Sequence, residues 1–188
     1  MTRDPEIRWQ RLMELLGPVH DAAARTARRL EGSAGDGDDL LQEAVLRAHD
    51  RLDSLRDPAR FRAWFFAVLL SIHRSRRRRS FWRRFLPLGE TFAEGEAIAA
   101  SPELGEESWW RARRAARALR GIPQAQREAI VLHDVEGFSV EEIARMQGVS
   151  ESAVKSRLSR GRNRLRRWYL RRGWEAPARR PSGAARGP

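Results

Sequence analysis

The stretch FSVEEIARMQGVSESAVKSRLSRGRNRLRR, Phe138 to Arg167, decides the fold of the C-terminal part of the chain. Ser139 with Glu142 three residues later is a capping-box pattern, in which the two side chains satisfy each other's backbone amides at a helix start. Gly148 stands four residues after Ala144, and Val154 six after Gly148. A helix-turn-helix needs a small residue where its helices touch, a residue that takes a left-handed backbone in the turn, and an apolar residue beneath the second helix; Ala144, Gly148 and Val154 supply them. Ser150 or Ser152 can cap the second helix, whose buried stripe is Val154, Leu158, Gly161, Leu165 and Trp168. Lys155, Ser156, Ser159, Arg160, Asn163 and Arg166 then face outward, a polar and basic surface suited to the major groove. Gln147 departs from the pattern, standing where such motifs usually carry an apolar residue. A plain helical hairpin with a solvated basic face would explain the period alone, but spacing, cap and charge together favour DNA binding.

The charge distribution agrees. The 188 residues carry a net charge of +12, and a single lysine, Lys155, leaves the basic character almost wholly to guanidinium groups, which bind phosphate bidentately. Residues 61–85 sum to +8, residues 86–110 to −6 and residues 151–188 to +10. Two strongly basic segments around an acidic one point to two contacts with a polyanion, and nucleic acid is the candidate. The absence of cysteine excludes a disulfide-stapled secreted scaffold. The longest apolar run, Ala63 to Ile72, is half of the roughly 20 residues a membrane span needs, so it predicts a buried helix and no membrane insertion. MTRDPEIRWQ lacks the apolar segment of an export signal, and a cytoplasmic location is expected.

Strand signals are nearly absent, and Ala, Leu, Arg and Glu dominate, which predicts an all-α chain. The pattern predicts a helix from Pro5 to Leu16 broken at Gly17-Pro18, a second from Pro18 to Leu30, and a loop over Glu31 to Gly37. Asp38 or Asp39 then caps a third helix ending near Leu52. Leu55 to Arg60 is a loop, and a fourth helix begins at Phe61 and continues into the arginine run. Residues 86–107, rich in Pro, Gly and Glu, form an interdomain linker. Ser108 caps a helix through Leu119, Pro123 opens the next, which ends by Gly137, and residues 173–188 form a disordered tail.

Other constellations are weaker. Asp36, Asp38, Asp39 and Glu43 are enough carboxylates for a divalent metal, but aspartates also cap helix starts and favour the helix dipole. As a calcium loop the segment fails, because Leu41 holds the glycine position and Arg47 the terminal glutamate. His20, His49, His73 and His133 have no ligand spacing, and no catalytic or cofactor motif occurs. Trp64, Phe65 and Phe66 read as core.

Two stretches resemble the extracytoplasmic function (ECF) group of bacterial sigma-70 RNA polymerase sigma factors. DGDDLLQEAVLRAHDRL followed by RFRAWFFAVLLSIHRSRRRR is similar to that family's sigma-2 domain, and IPQAQREAIVLHDVEGFSVEEIARMQGVSESAVKSRLSRGRNRLRR to its sigma-4 domain. The resemblance spans about residues 9 to 170, with both domains in order. It implies a sigma-2-like helical bundle over 5–85, a flexible acidic linker over 86–107 and a sigma-4-like helix-turn-helix domain over 108–172. It further implies a non-enzymatic function without a cofactor, in which the chain gives core polymerase its promoter specificity as a monomer.

The residue roles that follow are those of the family. Asp39, Gln42, Glu43, Val45 and His49 become the surface that docks on the β′ clamp of core polymerase, so that the acidic cluster needs no metal. Ser54, Leu55, Arg56, Asp57 and Arg60 form the loop that holds a base flipped from the −10 element, with Ser71, Arg74, Arg76, Arg77 and Arg78 along the same DNA. Many relatives carry Asn and Asp where Ser71 and Ser75 stand, which bears on −10 preference. Ser152, Lys155, Ser156, Ser159, Arg160, Asn163, Arg164 and Arg166 become the −35 contacts, on a domain that also meets the β flap. An anti-sigma factor is a further partner that the sequence leaves open. The rival readings are a stand-alone helix-turn-helix regulator, which leaves residues 38–79 unexplained, and a metal-dependent nuclease or recombinase built on Asp36, Asp38 and Glu43.

Overall fold

The computed structural model describes residues 5–85 and 106–174, and the chain divides into two compact units, Met1–Ala99 and Ala100–Pro188. The described residues are helical, with no strand among them.

The first unit is built from α1 (Pro5–Glu31), α2 (Ala34–Arg51) and α3 (Phe61–Phe85). Contrary to the expected break at Gly17-Pro18, α1 is one helix. Leu12, Leu16, Val19, Ala23, Ala27 and Leu30 form one buried stripe across the proline. Gly17, Pro18 and Glu14 are exposed, so the Glu14 carbonyl that Pro18 deprives of a partner lies on the solvent side. Packing of the whole stripe overrides the local break.

The expected loop over Glu31 to Gly37 shrinks to Gly32 and Ser33. Gly32 takes a left-handed φ of 89°, and Ser33, rather than Asp38 or Asp39, caps α2, its Oγ accepting the Asp36 amide at 3.1 Å. Gly37 therefore lies inside the helix, buried where α1 crosses: a Cβ there would sit 2.5 Å from the Cα of Arg28. The residue that reads as a loop former is the one that lets two helix backbones meet.

Phe65, Phe66, Leu69 and Leu70 of α3 are fully buried with Leu12, Leu30 and Leu40, each worth roughly 1.5–3 kcal/mol of apolar transfer. Within this core His73 is also fully buried, its Nδ1 3.0 Å from Oε1 of Glu31. Two short 3-10 turns, Leu52–Ser54 and Pro58–Arg60, carry the chain from α2 into α3, and Asp57 caps the second by accepting the Ala59 amide at 3.0 Å.

The second unit contains α4 (Glu106–Arg120), α5 (Gln124–Ile130), α6 (Val140–Gln147) and α7 (Glu151–Leu170). α4 starts two residues before Ser108, so Glu106 and Glu107 belong to a helix rather than to the linker; the acidic charge favours its N-terminus. After α5 the helix widens into a π turn, Val131–Val135, where the Glu136 amide donates to the Val131 carbonyl at 3.0 Å. Gly137 (φ 77°) then ends it. The capping box is present in full: the Ser139 amide donates to Glu142 Oε2 at 2.8 Å and the Glu142 amide to Ser139 Oγ at 3.2 Å. Gly148 is left-handed (φ 62°, ψ 41°), and the amides of Val149 and Gly148 close on the carbonyls of Ala144 and Arg145. Ser150 caps α7 through the Ala153 amide, at 3.3 Å.

The folded unit reaches further than the expected tail boundary at Gly173, since the Trp174 ring lies 5.5 Å from Trp168 and 6.4 Å from Tyr169. The rest of the expected linker, 86–105, and of the tail, 175–188, lies outside the described residues.

Candidate nucleic-acid and partner interface

Along α7 the stripe read from sequence faces inward at Val154, Leu158 and Gly161, while Leu165 and Trp168 are half-buried and Tyr169 completes the core. Burial pushes the Tyr169 hydroxyl above its ordinary pKa, against an opposing pull from Arg114. Ser152, Lys155, Ser159, Arg160, Asn163, Arg164 and Arg166 are exposed and Ser156 is half-buried, so the structure gathers the expected −35 residues on one side of one helix. Lys155 and Arg160 have only local ties, to Glu151 at 3.7 Å and to the Ser156 carbonyl at 3.4 Å. Neither tie leaves α7.

Two arginines of the same helix behave differently, and sequence reasoning gave them no role. Arg162 grips Asp134 of the π turn through two hydrogen bonds, Nε to Oδ2 at 3.0 Å and Nη2 to Oδ1. The hydrogen bond to Asp134 holds the guanidinium above its ordinary pKa, although burial pulls the other way. Arg157 donates to Gln147 Oε1 at 2.6 Å. Gln147, the residue out of pattern, is buried and donates to the Ala125 carbonyl and to Glu128 Oε2, both at 3.2 Å. Their partners lie 10 and 28 residues away, so no local spacing could have revealed them.

In the first unit the acidic cluster separates by partner. Asp38 pairs with Arg28 at 2.8 Å, Asp36 Oδ2 accepts the Ser33 hydroxyl at 2.7 Å, and Glu43 pairs with Arg76 at 2.8 Å. Among the described residues no three metal-ligating side chains converge. Asp39 and Gln42 are exposed on α2, and Val45 is half-buried beside them.

Several expected site residues are engaged inside the unit. Arg76, expected on DNA, spans from α3 to α2, its Nη2 also donating to the Asp39 carbonyl at 3.0 Å. The ring of His49, expected on a partner surface, stacks on Trp9 with centroids 4.5 Å apart and only 16% of its side chain exposed, so it joins α2 to α1. Leu55 is buried and anchors the loop from within. Around it Ser54, Arg56, Asp57 and Arg60 are exposed, with Ser54 Oγ accepting the Trp64 indole N–H at 3.2 Å and Arg60 3.5 Å from Asp57. Ser71 and Arg78 are exposed on α3, while Arg74 and Arg77 are half-buried; Ser75 is spent locally on the Ser71 carbonyl at 2.9 Å.

Arg76→Ala is therefore expected to lower the stability of the first unit by about 1 kcal/mol, a value kept small by the partial exposure of both partners. Urea unfolding would show it as a lower midpoint at constant slope. An unchanged midpoint together with weaker, less salt-dependent promoter binding would return Arg76 to the DNA surface.

Comparison with known proteins places both units. Residues 15–84 match the family description Sigma-70 region 2, and residues 112–165 match Sigma-70, region 4. The ECF RNA polymerase sigma factor SigM of Mycobacterium tuberculosis is 34% identical over 148 residues, covering 79% of this chain and 71% of that protein. EcfG of Rhodopseudomonas palustris, also an ECF RNA polymerase sigma factor, is 35% identical over 139 residues, covering 72% of each. Among solved structures, the sigma factor RpoE of Bartonella quintana, in complex with the anti-sigma factor NepR, matches with a TM-score of 0.63 at 29% identity, over 81% of this chain and 92% of that one. CnrH in complex with the cytosolic domain of CnrY matches with a TM-score of 0.59 at 28% identity, over 83% and 86%.

Proposed function

This chain is a member of the ECF group of sigma-70 family RNA polymerase sigma factors, and on that premise we propose how its residues divide the work of promoter recognition. The chain binds core polymerase, directs it to promoter DNA and performs no chemistry itself. It works in the cytoplasm, where polymerase and DNA are; among the described residues no helix is long and apolar enough to cross a membrane.

Residues 5–85 form the unit that engages core and the −10 element. Asp39 and Gln42, with Val45, meet the β′ clamp, and Glu43 contributes mainly by holding Arg76. The exposed loop residues Ser54, Arg56, Asp57 and Arg60 receive the flipped base, and Ser71, Arg74, Arg77 and Arg78 follow the strand. Residues 106–174 form the −35 unit, which also meets the β flap, and the acidic segment 86–105 is the linker. The solved relative RpoE, in complex with the anti-sigma factor NepR, supports an anti-sigma factor as a further ligand.

The observation that carries this reading is the coexistence, on one chain, of an exposed carboxylate-and-amide patch on α2 and an exposed basic face on α7. Co-purification of the full chain with core polymerase, in the absence of DNA, tests it. Stoichiometric association is expected; tight sequence-specific duplex binding by the chain alone, with no affinity for core, would favour the stand-alone regulator.

Within α7 the two kinds of arginine should separate. Arg160 lies in the N-terminal half, which enters the groove, whereas Arg166 lies toward the end, where phosphates are met. Arg160→Ala is expected to cost roughly 1–3 kcal/mol on the preferred −35 sequence and to relax preference at one base pair. Arg166→Ala should weaken all sequences alike and lower the salt slope by about one. Holoenzyme binding to a randomised −35 library at two salt concentrations measures both, and identical profiles for wild type and Arg160→Ala would remove that residue from base readout.

A further inference from the structure

Two of the seven cations in α7 are turned toward the body of the second unit, and both end on anchors in other elements. Arg157 reaches Gln147 at the end of α6; Gln147 is itself held by the Ala125 carbonyl and by Glu128, whose other oxygen accepts from Gln124 at 3.0 Å. Arg162 reaches Asp134 of the π turn, where His133 Nδ1 also stands 3.0 Å from the Asp134 carboxylate. Between them Gly161 is pressed onto α5 so closely that a Cβ would lie 2.6 Å from Ile130 Cδ1 and 3.2 Å from Gln126 Cβ.

Residues 157 and 162 project about 140° apart around a helix. They therefore flank the buried stripe of Val154, Leu158 and Gly161, one on each side. A helix resting on an apolar stripe alone can roll about its axis, because dispersion contacts have little directional preference. A roll of about 10° moves side-chain tips at a radius of roughly 6 Å by about 1 Å, enough to spoil the geometry of a bidentate base contact. Directional hydrogen bonds on both flanks oppose such a roll.

We propose that Arg157 and Arg162 are positioning residues for −35 specificity. They take no part in DNA contact, and through Gln147 and Asp134 they fix the roll of α7, so that Lys155, Ser156, Ser159 and Arg160 meet the base edges in register. The proposal rests on the reading of α7 as the −35 helix. The π turn acquires a function from it, since Val131–Val135 carries the Asp134 that Arg162 grips.

A cation that touches phosphate and a cation that orients a helix leave different signatures. The test is binding of reconstituted holoenzyme to a randomised −35 library at several salt concentrations, with the variants Arg162→Ala, Arg162→Lys, Asp134→Asn and Arg160→Ala. Arg162→Ala is expected to compress the ratio between preferred and scrambled −35 sequences about tenfold while leaving the salt slope unchanged. Arg162→Lys should match the alanine variant, because lysine keeps the charge and loses the two-pronged grip. Asp134→Asn removes a carboxylate and leaves every cation of α7 in place, yet it should compress the same ratio.

A salt slope lowered by about one in Arg162→Ala, with full activity in Arg162→Lys, would make Arg162 a phosphate contact and overturn the proposal. So would an unchanged profile in Asp134→Asn, the variant that asks least of the fold. Arg160→Ala separates the two levels: if its profile is also unchanged, the reading of α7 as the −35 helix falls together with the proposal; if only Arg160→Ala alters the profile, the positioning role alone falls.

Discussion

Gly37→Ala is expected to destabilise the first unit by about 1–2 kcal/mol, although the same exchange in an open helix is favourable. The added Cβ would stand 2.5 Å from the Arg28 Cα and 2.7 Å from its backbone nitrogen. Backbone atoms cannot rotate aside as a side-chain end does, so α1 and α2 must part along a buried stripe. Overpacking of this kind costs roughly 1–3 kcal/mol or more, against about 1 kcal/mol gained in helix propensity. Gly35 supplies the control: it lies in the same helix with nothing within 4 Å of its Cβ position, and Gly35→Ala should stabilise by roughly 0.5–1 kcal/mol. Urea unfolding of the full chain followed by circular dichroism distinguishes them, with midpoints moving in opposite directions; a Gly37→Ala midpoint at or above wild type would mean that the helices do not approach as described.

Asp39→Arg is expected to remove most of the affinity for core polymerase. The neighbouring carboxylates are held by Arg28, Ser33 and Arg76, which leaves Asp39 as the exposed, uncommitted charge of the cluster. Removing one charge from a desolvated pair across an interface costs roughly 1–3 kcal/mol, about 5- to 150-fold in affinity, and reversal adds repulsion. The substitution lies on the solvent side of α2, so helicity and urea midpoint should hold. A competition assay against a labelled sigma factor for core enzyme gives the ratio. Wild-type affinity in Asp39→Arg would remove α2 from the docking surface.

What could be read from the sequence was what depends on near neighbours. The capping box at Ser139, the left-handed Gly148 and the outward face of α7 rest on residues within a few positions of one another, and each stands as read. The start of α3 at Phe61 is local in the same sense, set by Asp57-Pro58. The failures share a different cause. Pro18 and Gly37 are breakers by local propensity, but a stripe reaching from Leu12 to Leu30 carries α1 through the first, and the close approach of α1 to α2 puts the second inside a helix.

The same distinction runs through the site. Lys155 and Arg160 stand exposed as their helical period predicts, and Asp39, whose role comes from the resemblance, is exposed as well. Arg76, His49, Arg157 and Arg162 take their roles from partners 33, 40, 10 and 28 residues away, and nothing in the spacing of charges tells a guanidinium bound to DNA from one bound to a carboxylate. The resemblance to a family supplied the division of labour between the two units; only the folded structure shows that Arg76 and Arg162 are already paired with carboxylates of their own unit.

Whether the chain confers promoter specificity on polymerase is decided by run-off transcription with purified core enzyme on a library of promoter fragments. Discrete transcripts are expected only when the chain is added, from templates sharing a −10 and a −35 motif, and Asp39→Arg should abolish them. Transcripts independent of the chain, or specific duplex binding by the chain alone with no transcription when core is supplied, would contradict that role.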